Sequence, residues 1–320
     1  MTKIENKLRD IIKGDLRTLI DAVWAKAKIT YHNFQKGDNI QGTIHCETVE
    51  INLGKLIPDI KKETDLKQID LFILSAAACL HDIGKVESND TKVFKSNHGK
   101  VSREIILKDY QKLGLDKGQA IAVGDIVSVH DDGNLEELPK TPVAIGSESI
   151  NIIELAAIFR LADMLDTSYQ RAPEIISNIK FPDEYIPQKW RGRQSITGWY
   201  LDQNNRIILQ AAPEKDDEIE AVYALLAMTR EDLSKISPHL KHYGYPSELG
   251  ELDIRGVFLD SHLKQRATLQ RPFPGMAFYT KDDASIFKGR DVEIKKLLSN
   301  ISSWPITLLI GESGAGKTSL

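Results

Sequence analysis

The sequence lacks several features that would assign the protein to a specialised class. It has only two cysteines in 320 residues, Cys46 and Cys79, which excludes a disulfide scaffold and fits a reducing compartment. No run of 18 apolar residues is present, and the N-terminal segment 1–6 lacks the apolar core of a signal peptide. The sequence therefore predicts a cytoplasmic protein with no membrane partner.

A large excess of charge of one sign is also absent. The chain has 42 basic and 46 acidic residues, for a net charge of −4. This balance argues against a surface that binds nucleic acid everywhere, but it leaves a local basic groove open. With 41% hydrophobic and 28% charged residues, the chain has the composition of a globular protein long enough for about two domains.

Apolar residues recur at helical spacing through the first 170 positions. The pattern predicts helices over about 4–31, 43–57, 67–83, 98–113, 117–130 and 149–167. Further along, two β-like segments flank an Asn-rich turn and predict a hairpin at 197–210, then a helix from 217 that ends before Pro238, and a strand over 252–259. Residues 271–286 have the proline, glycine and charge content of a linker.

A histidine and a carboxylate stand side by side at the end of the most apolar helix. His81-Asp82 directly follows the nearly all-apolar segment 71–80. Burying both groups is costly, and a metal ion is the commonest way to offset that cost. Because His45 and Asp163 lie on other predicted helices, we predict that the four side chains meet inside a helical bundle. Mn, Fe, Co or Zn accepts such a mixture of imidazole and carboxylate ligands, and Asp82 suits a bridge between two ions.

Two more histidines leave two interpretations open. His98 and His130 either complete a second metal site, or bind the scissile phosphate and protonate its leaving group. Lys85 lies one helical turn after His81, where we expect it to meet a phosphate charge. Arg160 precedes Asp163 by three residues and is expected to face the same cavity. The remaining site-like residues receive structural interpretations: Cys46 and Cys79 as small buried residues, and Asp131 and Asp132 as solvated loop charges.

A phosphate-binding pattern occupies the last residues of the sequence. Gly311-x4-Gly316-Lys317-Thr318 follows a strand-like apolar segment, which is the context that a P-loop requires. Backbone N–H groups around Gly311, Gly314 and Gly316 would wrap a phosphate, with Lys317 on the β/γ oxygens and Thr318 on Mg²⁺. About one strand and one helix start of such a domain are present, so we expect a longer protein that binds Mg-ATP only at full length.

Together the motifs resemble the HD-domain metal-dependent phosphohydrolases. His81-Asp-Ile-Gly-Lys85 resembles their His-Asp-x-Gly-Lys form, Gly42-Thr-Ile-His45 the segment of the first histidine, and Leu161-Ala-Asp-Met-Leu-Asp166 the closing segment. The His-Asp-x-Gly-Lys variant is similar to binuclear members, the HD-GYP phosphodiesterases and the HD nucleases of CRISPR-associated helicases. Those members usually have paired histidines at the fourth position, where this chain has Val129-His130-Asp131. Segment 287–293 resembles the start of STAND-type and AAA-like NTPase domains.

The resemblance implies a mainly α fold. We expect an HD-domain helical bundle with a small appended β-hairpin or sheet over 1–270, the linker, and then the first strand and helix start of a P-loop α/β domain over 287–320. Domain order also implies an effector of a longer NTPase protein that forms homo-oligomers and acts in antiviral defence, by analogy alone.

The expected activity is metal-dependent hydrolysis of a phosphoester in a nucleotide or nucleic acid. Two alternatives remain open. One is an HD domain that senses a nucleotide without chemistry, and the other is an HD-type nuclease that acts on a polymer.

Overall fold

The computed structural model describes most of the chain up to Ile254 and a few later positions. The described residues are 7–33, 42–60, 66–87, 98–131, 133–167, 188–213, 216–254, 290, 294, 295, 297, 301 and 309. The chain divides into two units, Met1–Val257 and Phe258–Leu320. The elements named below all belong to the first unit.

Helices account for most of this unit. They are α1 Gly14–Asn33, α2 Gly42–Ile60, α3 Gln68–Leu80, α4 Gly84–Glu87, α5 His98–Leu113, α6 Lys117–Ser128, α7 Ile152–Met164, α8 Gln188–Gln194 and α9 Asp216–His242. The described residues also include two 3₁₀ turns, Leu8–Ile11 and Leu135–Glu137. Among the described helices, none combines the length and the apolarity needed to cross a membrane.

Helix α3 lies at the centre of the bundle. Every residue from Ile69 to Leu80 is buried, and the helix packs against α1, α2, α6 and α7. A helix that is apolar on all sides is stable only when neighbours surround it, which explains its position. At its start, Asp70 accepts a hydrogen bond from the Lys67 backbone N–H at 2.8 Å. This hydrogen bond caps the N-terminal end of α3, while its C-terminal end lies inside the core.

A buried polar chain ties α2 to α1 and α3. The indole N–H of Trp24 donates to Ser75 Oγ at 3.1 Å, and Ser75 Oγ donates to Glu50 at 2.7 Å. Glu50 has no exposed surface, and Arg9 reaches its second oxygen at 3.5 Å. Such a chain is stable in the interior because each member has a partner.

Two small sheets accompany the helices. Strands β1 Val143–Ile145 and β2 Glu148–Ile150 form an antiparallel hairpin before α7. The second sheet has the order β3-β4-β5, with β3 Ile196–Leu201 antiparallel to β4 Ile207–Ala211, and β4 parallel to β5 Asp253–Ile254. Helix α9 connects the parallel pair, as a crossover connection must.

The structure confirms the predicted fold class, a helical HD bundle with a small appended sheet, and differs from the predicted bounds in places. The single helix predicted over 4–31 is wrong, because Gly14, with φ +62°, separates the first 3₁₀ turn from α1. The predicted end before Pro238 is also wrong. Helix α9 continues past it because Ile236 and Leu240 are fully buried, and it ends at His242, two residues before Gly244, which has φ +77°. The hairpin β1–β2 was not predicted.

Candidate metal centre

The end of α3 brings His81 and Asp82 into the protein interior. His81 is fully buried and Asp82 is 4% exposed. Gly84 allows α5 to approach this end closely. A Cβ at this position would lie only 2.6 Å from the carbonyl oxygen of His98 and 2.7 Å from the backbone nitrogen of Ser102. The glycine of the His-Asp-x-Gly-Lys motif therefore lets the first turn of α5, with His98, pack against the end of α3.

Backbone carbonyls fix the orientation of two histidines. Nδ1 of His81 lies 3.0 Å from the Ala78 carbonyl oxygen, and Nδ1 of His130 lies 2.7 Å from that of Val127. A carbonyl oxygen only accepts, so Nδ1 carries the proton in both rings. Each Nε2 then keeps a lone pair that is directed into the cluster, which is the tautomer of a metal ligand.

A carboxylate fixes the third histidine in the same way. Nδ1 of His45 donates to Asp166 Oδ2 at 2.5 Å, and both side chains are buried. Sequence reasoning missed this role of Asp166, although the residue belongs to the closing motif. Its spacing of three after Asp163 was the available signal, because residues three apart share a helix face.

The first ligand group contains His45, His81 and Asp163. Nε2 of His45 lies 3.0 Å from both Nε2 of His81 and Oδ1 of Asp163. All three ligand atoms lie within 4.8 Å of one another. Oδ2 of Asp82 faces the same group, at 3.8 Å from His45 Nε2 and 3.6 Å from His81 Nε2. The structure therefore brings together the four residues that the sequence proposed as ligands.

A second group lies on the other side of Asp82. Its Oδ1 is 3.4 Å from Nε2 of His98 and 3.6 Å from Nε2 of His130, and these two nitrogens are 3.0 Å apart. Among the described residues, none donates a hydrogen bond to this buried Oδ1. A buried carboxylate oxygen normally has a donor or a cation. The arrangement fits a divalent ion, because one oxygen of Asp82 faces each group.

Most of the cluster is held in the protonation state that binds metal. Burial lowers the pKa of His81 to about 3, and burial together with Lys85 lowers that of His98 to about 4. Burial opposes ionisation of Asp82, but Lys85 and the histidines outweigh it and keep its pKa well below the usual range. Burial also opposes protonation of His130, yet Asp82 and Asp163 raise its pKa, so this end of the cluster stabilises positive charge.

Lys85 borders the cluster. Its Nζ contacts Asp82 Oδ2 at 2.6 Å, and its side chain is 19% exposed, close to the 18% of Asp163. Lys85 and Asp163 are therefore partly accessible to solvent, as is Asp131, at 23%, beside His98.

Arg160 was expected to face the same cavity as Asp163, but its described contacts are in a different place. Its Nη1 donates to the Gly133 carbonyl at 2.7 Å, and it lines a cleft with Lys235 and His239. The side chain thus fastens the loop that follows His130.

Two structural interpretations from the sequence have different outcomes. Asp131 is not fully solvated, because its side chain is 23% exposed and its Oδ2 lies 3.3 Å from Nδ1 of His98, although the two atoms form no hydrogen bond. Cys46 and Cys79 are free and buried, which confirms their expected role in the core. Asp132 lies outside the described residues, as do the P-loop positions Gly311, Gly314, Gly316, Lys317 and Thr318.

Comparison with protein families agrees with this geometry. A family model described as HD-CE matches residues 43–240, which is more than half of the chain. The chain belongs to the HD-CE family. A second model, Novel STAND NTPase 1, matches residues 272–320, so the HD-CE domain is followed by a STAND NTPase segment, which confirms the predicted fusion. No curated protein matches the chain.

The HD-CE match includes every residue of the two ligand groups. HD-type domains usually bind divalent metals, and the His/Asp clusters provide the donor atoms for one.

Proposed function

We propose that this HD-CE domain is a metal-dependent phosphohydrolase that cleaves a phosphoester in a nucleotide or nucleic acid. The observation that carries the proposal is the position of Asp82, whose two oxygens face two groups of oriented histidine Nε2 atoms. His45, His81 and Asp163 would hold one ion, with Asp82 shared, and His98 and His130 would hold a second. When bound, such ions supply Lewis-acid activation of water and neutralise charge at phosphoryl oxygens.

The other residues of the site have separate tasks in this proposal. Lys85, which is partly accessible, orients the substrate phosphate by its positive charge. Asp166 holds the ring of His45 by a hydrogen bond, so that Nε2 of His45 stays in place, and the charge of Asp131 lies 3.3 Å from Nδ1 of His98. These tasks require no movement of the helices, because α2, α3, α5, α6 and α7 already position the side chains.

The STAND NTPase segment suggests how the activity is used. We propose that the HD-CE domain is the effector of a longer P-loop NTPase protein, in which Mg-ATP binding and homo-oligomerisation control hydrolysis, with antiviral defence as the biological setting. Only the order of the two matches supports this part of the proposal.

A substrate screen tests the activity. The purified chain, loaded separately with Mn, Fe, Co or Zn, is incubated with dNTPs, NTPs, cyclic nucleotides, single-stranded DNA and RNA. We expect turnover of at least one class, and its loss in the double variant His81→Ala/Asp82→Ala. The matched control is His242→Ala, an exposed histidine on α9. If metal binds but every substrate stays intact, the alternative of a non-catalytic nucleotide sensor replaces this proposal.

The same assay separates the roles of the two ligand groups. Asp163→Asn and His130→Ala should each lower both turnover and the metal content per chain, measured by plasma mass spectrometry. If His130→Ala keeps its metal while turnover falls about a hundredfold, His130 serves the phosphate or the leaving group instead. Cleavage of polymers alone, with a strong salt dependence, would identify a nuclease.

A further inference from the structure

The C-terminal end of α7 is fixed by a side chain from another helix. The backbone N–H of Asp166 donates to the Asp163 carbonyl at 3.1 Å, three residues back, so the helical ladder closes there. The Ala162 carbonyl accepts a hydrogen bond from Nδ2 of Asn52 at 2.9 Å. Asn52 therefore caps α7 at the position from which Asp163 and Asp166 extend toward His45.

Asn52 is itself held in one orientation. It is 3% exposed, and its Oδ1 accepts a hydrogen bond from the indole Nε1 of Trp199 at 2.9 Å. An indole N–H only donates and a backbone carbonyl only accepts, so the amide has one arrangement that satisfies both partners. Removing either hydrogen-bond partner of a buried amide destabilises the folded chain, because the amide group that remains is left unsatisfied and away from water.

Trp199 connects this amide to the appended sheet. It lies on β3, which pairs with β4, and β4 pairs with β5. Strand β5 ends at Ile254, shortly before the boundary between the two units of the chain. The Trp199–Asn52–Ala162 hydrogen bonds therefore form a continuous link from the sheet to the helix turn that carries two carboxylates of the metal centre.

We infer that Asn52 is a positioning residue for the metal centre and that Trp199 of the appended sheet sets its position. The inference rests on the proposed function, because it concerns the same site. Asn52 touches no ligand atom directly and acts through the backbone of α7. Loss of the Trp199 hydrogen bond loosens the amide, the end of α7 shifts, and the carboxylates of Asp163 and Asp166 no longer match the histidines. The sheet thereby adjusts metal affinity.

Metal affinity, not turnover, is the measurement that tests this inference. Binding of Zn²⁺ and Mn²⁺ to the full chain is measured by calorimetric titration for the wild type, Trp199→Phe, Asn52→Ala and the double variant. Groups beyond the ligands typically change metal affinity about 10- to 100-fold. We expect about a tenfold loss for Asn52→Ala and a several-fold loss for Trp199→Phe, which keeps the ring and removes only the N–H donor. In the Asn52→Ala background, Trp199→Phe should have no further effect.

Two controls distinguish positioning from general destabilisation. Trp190→Phe on α8 repeats the same chemical change at another tryptophan and should leave metal affinity unchanged. Thermal unfolding of each variant shows whether the fold is intact. A lower unfolding temperature with unchanged metal affinity in both Asn52→Ala and Trp199→Phe would overturn the inference, as would independent, additive effects in the double variant.

The outcome is separable from that of the proposed function. If the variants bind metal more weakly although no substrate is ever cleaved, the positioning role stands and the proposed hydrolysis is wrong. If cleavage is observed and the variants bind metal like the wild type, the hydrolysis stands and the positioning role is wrong. A wild type that binds none of the metals would contradict both.

Discussion

At the scale of single residues, the tautomer of each histidine determines what the cluster does. His45, His81 and His130 each place Nδ1 on a fixed acceptor, so each directs Nε2 inward. The sequence predicted His45, His81, Asp82 and Asp163 as neighbours because each lies in or beside an apolar segment. It did not reveal the role of Asp166, because an orienting carboxylate has no sequence signature beyond its spacing from a ligand.

The Asp166–His45 hydrogen bond leads to a prediction about metal affinity. Replacing Asp166 with Asn weakens the acceptor for His45 Nδ1–H and lowers the basicity of the opposite ring nitrogen. We therefore expect metal affinity to fall by about 10- to 100-fold, measured by competition with a chromogenic chelator. The control is Asp125→Asn, since Asp125 on α6 pairs with Arg103 on α5 and is neither a proposed ligand nor a residue that orients one. Equal metal affinity in the two variants would contradict the orienting role.

At the scale of elements, most helices were predictable, and α5 was predicted with both of its ends, whereas the start of α1 and the end of α9 were not. The core helix α3 follows directly from its apolar segment. The end of α9 was misplaced because the burial of Ile236 and Leu240 outweighs the backbone hydrogen bond that Pro238 removes. Local sequence carries the proline signal, whereas the burial depends on α7 and α8, which pack against α9 in three dimensions. The role of Asn52 was likewise not predictable from local sequence, because its hydrogen-bond partners Ala162 and Trp199 lie far along the chain.

Glu50 on α2 gives a pH-dependent prediction at this scale. Burial raises its pKa above the ordinary 4.5, although Arg9 and Ser75 oppose the shift. A carboxyl group with a higher pKa in the folded chain binds more protons when folded, so the free energy of unfolding decreases as pH rises from 4.5 through the raised pKa. Glu50→Gln removes this titration. We expect its unfolding free energy, relative to the wild type, to increase over that pH range in urea denaturation.

A carboxyl group with the opposite shift provides the control for Glu50. The hydrogen bond from Lys140 lowers the pKa of Glu136, so its ionised form stabilises the folded chain above pH 4.5 and that contribution is lost as pH falls through the lowered pKa. Glu136→Gln should therefore show no gain relative to the wild type as pH rises. The same upward trend in both variants would mean that the effect does not arise from burial of Glu50.

At the scale of the whole molecule, all the described residues of the candidate metal centre lie in the first unit. Its ligands and their orienting groups lie between His45 and Asp166, and the hydrophobic core extends from Leu8 to Tyr245. The sequence predicted the succession of an HD domain and a STAND NTPase segment because both carry short motifs. It could not show that the core continues through α9, since that helix has no motif.

The location of these residues in the first unit predicts the effect of truncation. A chain that ends at Val257 should bind metal with the same stoichiometry as the full chain and unfold cooperatively, because all the described site contacts remain. A chain that ends at Ala212 lacks α9, with its buried Leu225, Leu233 and Ile236, and should lose both properties. Plasma mass spectrometry measures the metal stoichiometry, and thermal unfolding measures the cooperativity, of each truncated chain. Loss of metal in the chain that ends at Val257 would show that the second unit supports the site.

The separation of the ligands along the chain has a consequence for the life of the protein in the cell. His45 and Asp166 are 121 positions apart, and the helices that meet at the cluster have no other covalent connection than the intervening chain. An ion held there acts as a reversible cross-link that only the folded chain can form. At a free concentration one hundred times its dissociation constant, such an ion adds about 2.7 kcal/mol to stability. If the proposed ion binds, a cell starved of that metal would lose the protein itself to proteolysis as well as its proposed activity.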